Sequence, residues 1–149
     1  MHTHFDAPLQ TLSHAPEADL AAPVADLAAP VAAPAAPGSA PVIPFQRLDA
    51  YRVARELARV VCTAGIADAE LRDEALRSAK SACLNSAEGA GRVSRPDKAR
   101  SFAIARAEAG EAAAAVEIAA SCGDASPAAA ARVNQVAHRL VALLTGLIR

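Results

Sequence analysis

The sequence predicts an all-α fold: an antiparallel up-and-down four-helix bundle over 45–149, following a disordered Ala/Pro-rich tail over 1–44. Three observations predict it. Eight of the ten prolines lie before Phe45, and only Pro96 and Pro127 lie after it. An interior proline removes a backbone donor and clashes with the preceding turn, so long helices can begin only where the prolines stop. After Phe45, apolar residues recur at three- and four-residue spacing in four separate segments, and no segment shows the period-two alternation of a half-buried strand.

The tail reads as a tether. It holds four acids (Asp6, Glu17, Asp19, Asp26) and no Lys or Arg, a net charge of −4. The run Ala18-Asp19-Leu20-Ala21-Ala22-Pro23-Val24 recurs as Ala25-Asp26-Leu27-Ala28-Ala29-Pro30-Val31. A proline in every repeat breaks any helix that the alanines favour. So little apolar bulk cannot offset the entropy of ordering the chain, and a semi-extended segment is expected. A docking peptide presenting Leu20 and Leu27 competes with a low-complexity extension of no specific role. His2 and His4 form a two-ligand pair, which falls short of a metal site.

The first helix is expected over 46–64. At about 100° per residue, Ala50, Val53, Ala54, Leu57, Val60, Val61 and Ala64 share one side. Arg52, Arg55 and Arg59 form a basic stripe opposite, and Gly65 supplies a stop. The second is expected over 69–88, with Asp68 as N-cap. Leu71, Ala75, Ala79, Ala82 and Cys83 share its apolar face; Glu74, Arg77, Ser81, Asn85 and Glu88 form a polar line; Gly89 and Gly91 are expected to close it.

The third helix is expected over 95–121. Ser94 and Asp97 have capping-box spacing, and Pro96 sits in the first turn, where its missing N–H costs nothing. One face carries Phe102, Ala105, Ala109, Ala112, Val116 and Ala120; a second carries Ile104, Ala107, Ala115 and Ile118, interrupted by Glu111. A helix that is apolar nearly all round is expected to be covered on both sides, which makes self-association the expected use of the second face. The fourth helix is expected over 127–148, capped by Ser126, with Val133, Val136, Ala137, Leu140, Leu143, Leu144 and Leu147 on one broad face. Short connections make sequential helices antiparallel neighbours. The core is rich in alanine, which buries little apolar area per residue, so a bundle of this size is marginal alone.

Composition narrows the function. Residues 45–149 hold all 15 basic residues against 12 acids, net +3, a mild rather than strong footprint for nucleic acid. Cys62, Cys83 and Cys122 match no zinc or CxxC spacing, and are expected as reduced thiols packing as small hydrophobes in a cytoplasmic protein. No secretory signal pattern and no apolar run of membrane-spanning length is present. A di-iron bundle needs paired Glu-x-x-His motifs, but the bundle's single histidine, His138, follows Gln135. Phosphate-loop, dinucleotide and HExxH patterns are missing, and one histidine without a positioned acid makes no triad. The expectation is a protein that is not an enzyme and takes no cofactor and no metal.

Two features remain. Glu111 in an apolar stripe either reaches solvent at a bundle edge or pairs with Arg77, Arg92 or Arg106, within or between subunits. The basic run Arg92, Arg95, Lys98, Arg100 and Arg106 covers the turn between the second and third helices and the start of the third, and suits phosphate contacts; the candidates are Arg77, Lys80, Arg92, Arg95, Lys98 and Arg100. The nearby aromatic, Phe102, falls on the buried face, so base stacking is not expected. The competing reading of these cations is a solvated helix start.

The stretch Asn85-Ser86-Ala87-Glu88-Gly89-Ala90-Gly91-Arg92 resembles the N-I-A-E-G-x-G-R signature of the 23S ribosomal RNA intervening-sequence proteins, a four-helix-bundle family that includes the accessory variability proteins of retroelements. Phe45-Gln46-Arg47-Leu48-Asp49-Ala50-Tyr51 is similar to the family's opening, and Phe102-Ala103-Ile104-Ala105-Arg106 followed by Glu111 to its third-helix pattern. The resemblance covers most of 45–149 and none of the tail. It implies a non-catalytic bundle assembling as a homo-oligomer, commonly a pentamer, with RNA, DNA or a reverse transcriptase as partner. The shared positions are Ser81, Asn85, Glu88, Gly89, Gly91, Arg92, Arg106 and Glu111. Departures are Tyr51 for tryptophan, Leu76 beside Arg77 for a second base, Ser86 for isoleucine, and Ala107-Glu108 for a glycine–serine pair. A protein–protein scaffold using the tail as a tether is the other reading.

Overall fold

Three side chains set where three of the helices begin. Asp68 accepts from the Leu71 N–H, Ser94 from Asp97 and Ser126 from Ala129, each satisfying a donor that the first helical turn leaves open. The computed structural model describes residues 42–149. Residues 1–41, with most of the expected tail, its repeat and the His2/His4 pair, lie outside the described residues. Four helices follow one another: α1 Asp49–Cys62, α2 Ala69–Gly91, α3 Arg95–Cys122 and α4 Pro127–Ile148. Among the described residues no strand occurs, and no helix is long and apolar enough to cross a membrane.

Cross-helix contacts run in opposite directions along neighbours. Gly89 at the end of α2 meets Phe102 near the start of α3, while Ser78 further back reaches Glu111 further on. Arg95 at the start of α3 donates to the Arg149 carbonyl beyond α4, while Glu117 late in α3 accepts from Asn134 early in α4. The Ala67 N–H donates to the Asp124 carbonyl at 2.7 Å, tying the α1–α2 and α3–α4 connections together at one end. This is the order that antiparallel neighbours require. α2 and α3 share the most extensive contact, followed by α3 and α4.

The core follows the expected faces closely. Leu57, Val116, Leu140 and Leu144 are wholly buried, as are Ala75, Ala79 and Ala82 of α2 and Ala105, Ala109 and Ala112 of α3. Five expectations need correction. The first helix does not begin at Gln46. The Gln46 side chain accepts from the Ile43 N–H at 2.8 Å and closes a 3-10 turn over Pro44–Arg47. Leu48 is then extended and packs on the core, so α1 starts only at Asp49. That helix also stops earlier, at Cys62, where the Thr63 hydroxyl takes up the Arg59 and Val60 carbonyls, with Gly65 left-handed two residues on.

Gly89 and Gly91 do not close α2. The helix runs through both, and Arg92 is its extended C-cap. Gly89 is small for packing: a Cβ there would lie 2.5 Å from the Phe102 ring. The glycine that does end a helix is Gly123, left-handed at φ 86°, whose N–H reaches the last carbonyls of α3. Cys62 and Cys122 are exposed at helix ends rather than packed, and only Cys83 is partly buried. The second face of α3 divides: Ala115 is buried, whereas Ile104 and Ile118 remain 42% and 51% exposed within the single chain.

Candidate functional site on the α2–α3 face

The polar line of α2 and the outer edge of α3 form one surface. At its centre Arg77 lies flat against Glu74, with Nε to Oε2 at 3.1 Å and a second guanidinium nitrogen to Oε1 at 2.5 Å. Across the helix boundary the same guanidinium stands 3.8 Å from Glu111 Oε2. The buried Ser78 hydroxyl sits within reach of both carboxylates, 3.4 Å from Glu74 and 3.3 Å from Glu111. The Arg77 hydrogen bond holds Glu74 below the usual carboxylate range, and Glu74 in turn holds Arg77 above its own ordinary value. Glu108 adds its charge to this group, and its Oε2 is shut from solvent without a hydrogen-bond partner among the described residues.

Two turns further along α2, Asn85 donates to the Ser81 carbonyl at 3.0 Å and the Ser81 hydroxyl at 3.2 Å. Asn85 also opens a polar cleft of about 310 Å³ bounded by Glu88, Arg92, Asp97, Arg100 and Ser101, with Ile104 at its edge. Arg92 is paired with Glu88 four residues earlier, and this pairing raises the guanidinium's pKa. On the other side of Asn85 a shallow open groove runs past Arg77, Lys80 and Ser81, with Leu76 and Leu84 along it. Leu84 is 71% exposed, which makes this face polar but not apolar-free.

The family described as 23S rRNA-intervening sequence protein matches residues 46–146. The chain belongs to this family. No curated protein matches the chain.

The family match spans all four helices. Within this intervening-sequence protein, the structure sorts the signature residues into different roles. Ser81, Asn85, Glu88 and Arg92 share the outward face of α2; Gly89 faces inward; Gly91 touches nothing within 4 Å of where a Cβ would stand. Arg106 and Glu111, the third-helix pair, do not meet. Five residues place them about 140° apart around the helix, and Arg106 makes no ion pair among the described residues. Of the three arginines expected as partners for Glu111, Arg77 is the one that lies beside it, and Glu111 remains 55% exposed.

The six expected phosphate contacts do not form one patch. Arg77 and Arg92 are held by carboxylates of their own helix, and Arg95 is turned onto the Arg149 carbonyl. Lys98 lines a different hollow, with Phe102, Leu48 and Leu147, at the end of the bundle. Lys80 and Arg100 stay exposed on the α2–α3 face. Sequence reasoning missed Ser78 and Glu108. Each lies outside the polar pattern of its own helix and joins the cluster only because α2 and α3 run antiparallel in a fixed register. Among the described residues no three His, Cys, Asp or Glu side chains come together as metal ligands.

Proposed function

We propose that this intervening-sequence protein is a non-catalytic, self-associating bundle that engages nucleic acid, RNA or DNA, or an enzyme acting on it such as a reverse transcriptase. The family match over 46–146 carries the reading, because the family is described by its association with a 23S rRNA intervening sequence. The net positive bundle supports it, since phosphate neutralisation is the common source of nucleic-acid affinity. Self-association is supported by Ile104 and Ile118, which stay exposed along α3 in the single chain; the resemblance sets a pentamer as the expected size.

Light scattering of the full-length protein, with and without RNA, measures the assembled mass, and a salt-dependent gel shift measures binding. The expected result is an oligomer that shifts RNA most strongly at low salt, where counterion release favours binding. An oligomer that binds no nucleic acid at low salt would favour the scaffold reading, to which the 71% exposed Leu84 lends support. A monomer without affinity would remove both readings.

A further inference from the structure

The bundle's positive charge is unevenly divided, and the division runs between helix pairs. Residues 44–62 and 127–149, which include α1 and α4, hold seven arginines against Asp49 and Glu56, net +5. Residues 69–122, which include α2 and α3, hold eight basic and eight acidic residues, net zero. Asp68 and Asp124 in the connections bring the total to the bundle's +3. We infer that the outward face of α1 and α4, rather than the α2–α3 turn, makes the phosphate-backbone contacts. The inference rests on the nucleic-acid reading above and assigns it a surface.

The geometry of α1 carries it. Arg52, Arg55 and Arg59 recur at three- and four-residue spacing and are all exposed on one stripe. Seven residues of helix span about 10 Å, and phosphates along one strand follow at about 3.4 Å of axial rise, so the stripe runs beside about three of them. Guanidinium groups suit that role through paired donors aimed at phosphate oxygens. Arg52 shares its charge with Asp49 at 3.2 Å, but both partners are over 60% exposed, so the pair is weak and open to exchange. Arg55 and Arg59 make no ion pair among the described residues.

The remaining acid on α1, Glu56, is turned toward α4, where it stands 3.8 Å from Arg139. Arg132 precedes Arg139 by seven residues, two helical turns, and so falls on the same side of α4. α4 contains no acid. The stripe is shallowly concave, with an open hollow of about 420 Å³ bounded by Arg52, Arg55, Glu56 and Arg59. On α2 and α3, Arg77, Arg92 and Arg95 are occupied by in-chain acceptors and the remaining cations stand among eight acids, against two acids for the seven arginines of the α1 and α4 segments. Contacts of the α1–α4 kind read the backbone and not the bases, so affinity without sequence preference is expected.

Fluorescence anisotropy of the full-length protein with a labelled RNA duplex, and with DNA of the same sequence, between about 50 and about 200 mM salt tests this. The triple variant Arg55→Gln/Arg59→Gln/Arg132→Gln is expected to lower the slope of log affinity against log salt by about 3. The ratio of wild-type to variant affinity then changes on the order of 40-fold across that salt range. The matching lysine variant, Arg55→Lys/Arg59→Lys/Arg132→Lys, restores the slope if charge is what matters and shows that the loss is not misfolding.

The rival surface is tested by Lys80→Gln/Arg95→Gln/Arg100→Gln. A slope loss from this variant equal to or larger than that of the first triple overturns the inference while leaving nucleic-acid binding standing. Wild-type protein that binds neither duplex at the lowest salt overturns the nucleic-acid reading itself.

Discussion

α1 and α4 contribute large side chains to the core, whereas α2 and α3 meet through small ones, and their surfaces differ just as sharply. Leu57, Val60, Val61, Val133, Leu140 and Leu144 are buried large side chains of the first and last helices, joined from α3 by Phe102 and Val116. The buried residues of α2 and α3 are mostly small (Ala75, Ala79, Ala82, Ala105, Ala109 and Ala112), and at their seam Gly89 is seated against Phe102. Small residues let two helix backbones approach closely, so this pair has the most extensive contact while burying little apolar area per residue. Outside, the first pair is net basic and the second balances eight bases against eight acids. One pair thus supplies hydrophobic burial and charge excess; the other supplies close packing and a neutralised polar network.

Truncating a large side chain of the first pair should cost the most stability. Leu140→Ala removes a wholly buried side chain from a core that holds few of its size. The expected loss is about 2–5 kcal/mol, measured by urea unfolding of the full-length protein. Overpacking should be the greater hazard in the second pair. Gly89→Ala would place a Cβ 2.5 to 2.9 Å from three atoms of the Phe102 ring. Destabilisation of about 1–3 kcal/mol is expected, although alanine is otherwise the better helix former. Phe102→Leu in the same background should recover part of it. If Gly89→Ala were neutral, the α2–α3 seam would be looser than its geometry indicates.

The third test separates the two signature glycines. Gly91 is helical, exposed and has nothing near it, so Gly91→Ala should stabilise the protein by about 0.5–1 kcal/mol in the same unfolding measurement. Opposite signs at Gly89 and Gly91 would show that one glycine of the motif is a packing residue and the other is not.

The starts of α2, α3 and α4 were legible because their signals are local. Asp68, Ser94 and Ser126 each act on a backbone N–H three residues on, and the sequence shows the cap and the first turn together. The buried faces were legible because periodicity is also local. What was not legible depends on partners distant in sequence. Gly89 and Gly91 look like stop signals, and only the Phe102 ring reveals that Gly89 lies against another helix. Leu48 leaves the helical run because the core pulls it in, a tertiary effect that overrides its propensity. The polar line of α2 was visible as a line, and its main ion pairs, Arg77 with Glu74 and Arg92 with Glu88, are local; what the sequence hid is that Glu111, 33 residues beyond Ser78, joins it from α3. A basic run in sequence therefore overstated the charge available on that face, and the arginine stripe of α1, in which Arg55 and Arg59 make no ion pair among the described residues, was visible but unassigned.

The smallest expected effect lies at the boundary between the two pairs. Cys83 sits on α2 where the charge of Arg55 on α1 reaches it. Burial pushes its thiol from the ordinary 9.0 up to about 11, against the opposing pull of Arg55. The raised pKa means that the folded state favours the protonated thiol, so its stabilising effect is complete below pH 9 and is lost as pH rises toward 11. Partial exposure reduces the effect below its full linkage value. Cys83→Ala should therefore flatten the fall in melting temperature between about pH 8 and about pH 10 relative to wild type. Thiol labelling at neutral pH gives an independent reading: Cys62 and Cys122 are exposed and should react first, with Cys83 slower. Labelling of Cys83 at the same rate as the other two would mean that the α1–α2 boundary opens readily. The basic pair and the close-packed pair would then be two layers that part at this boundary, rather than one core.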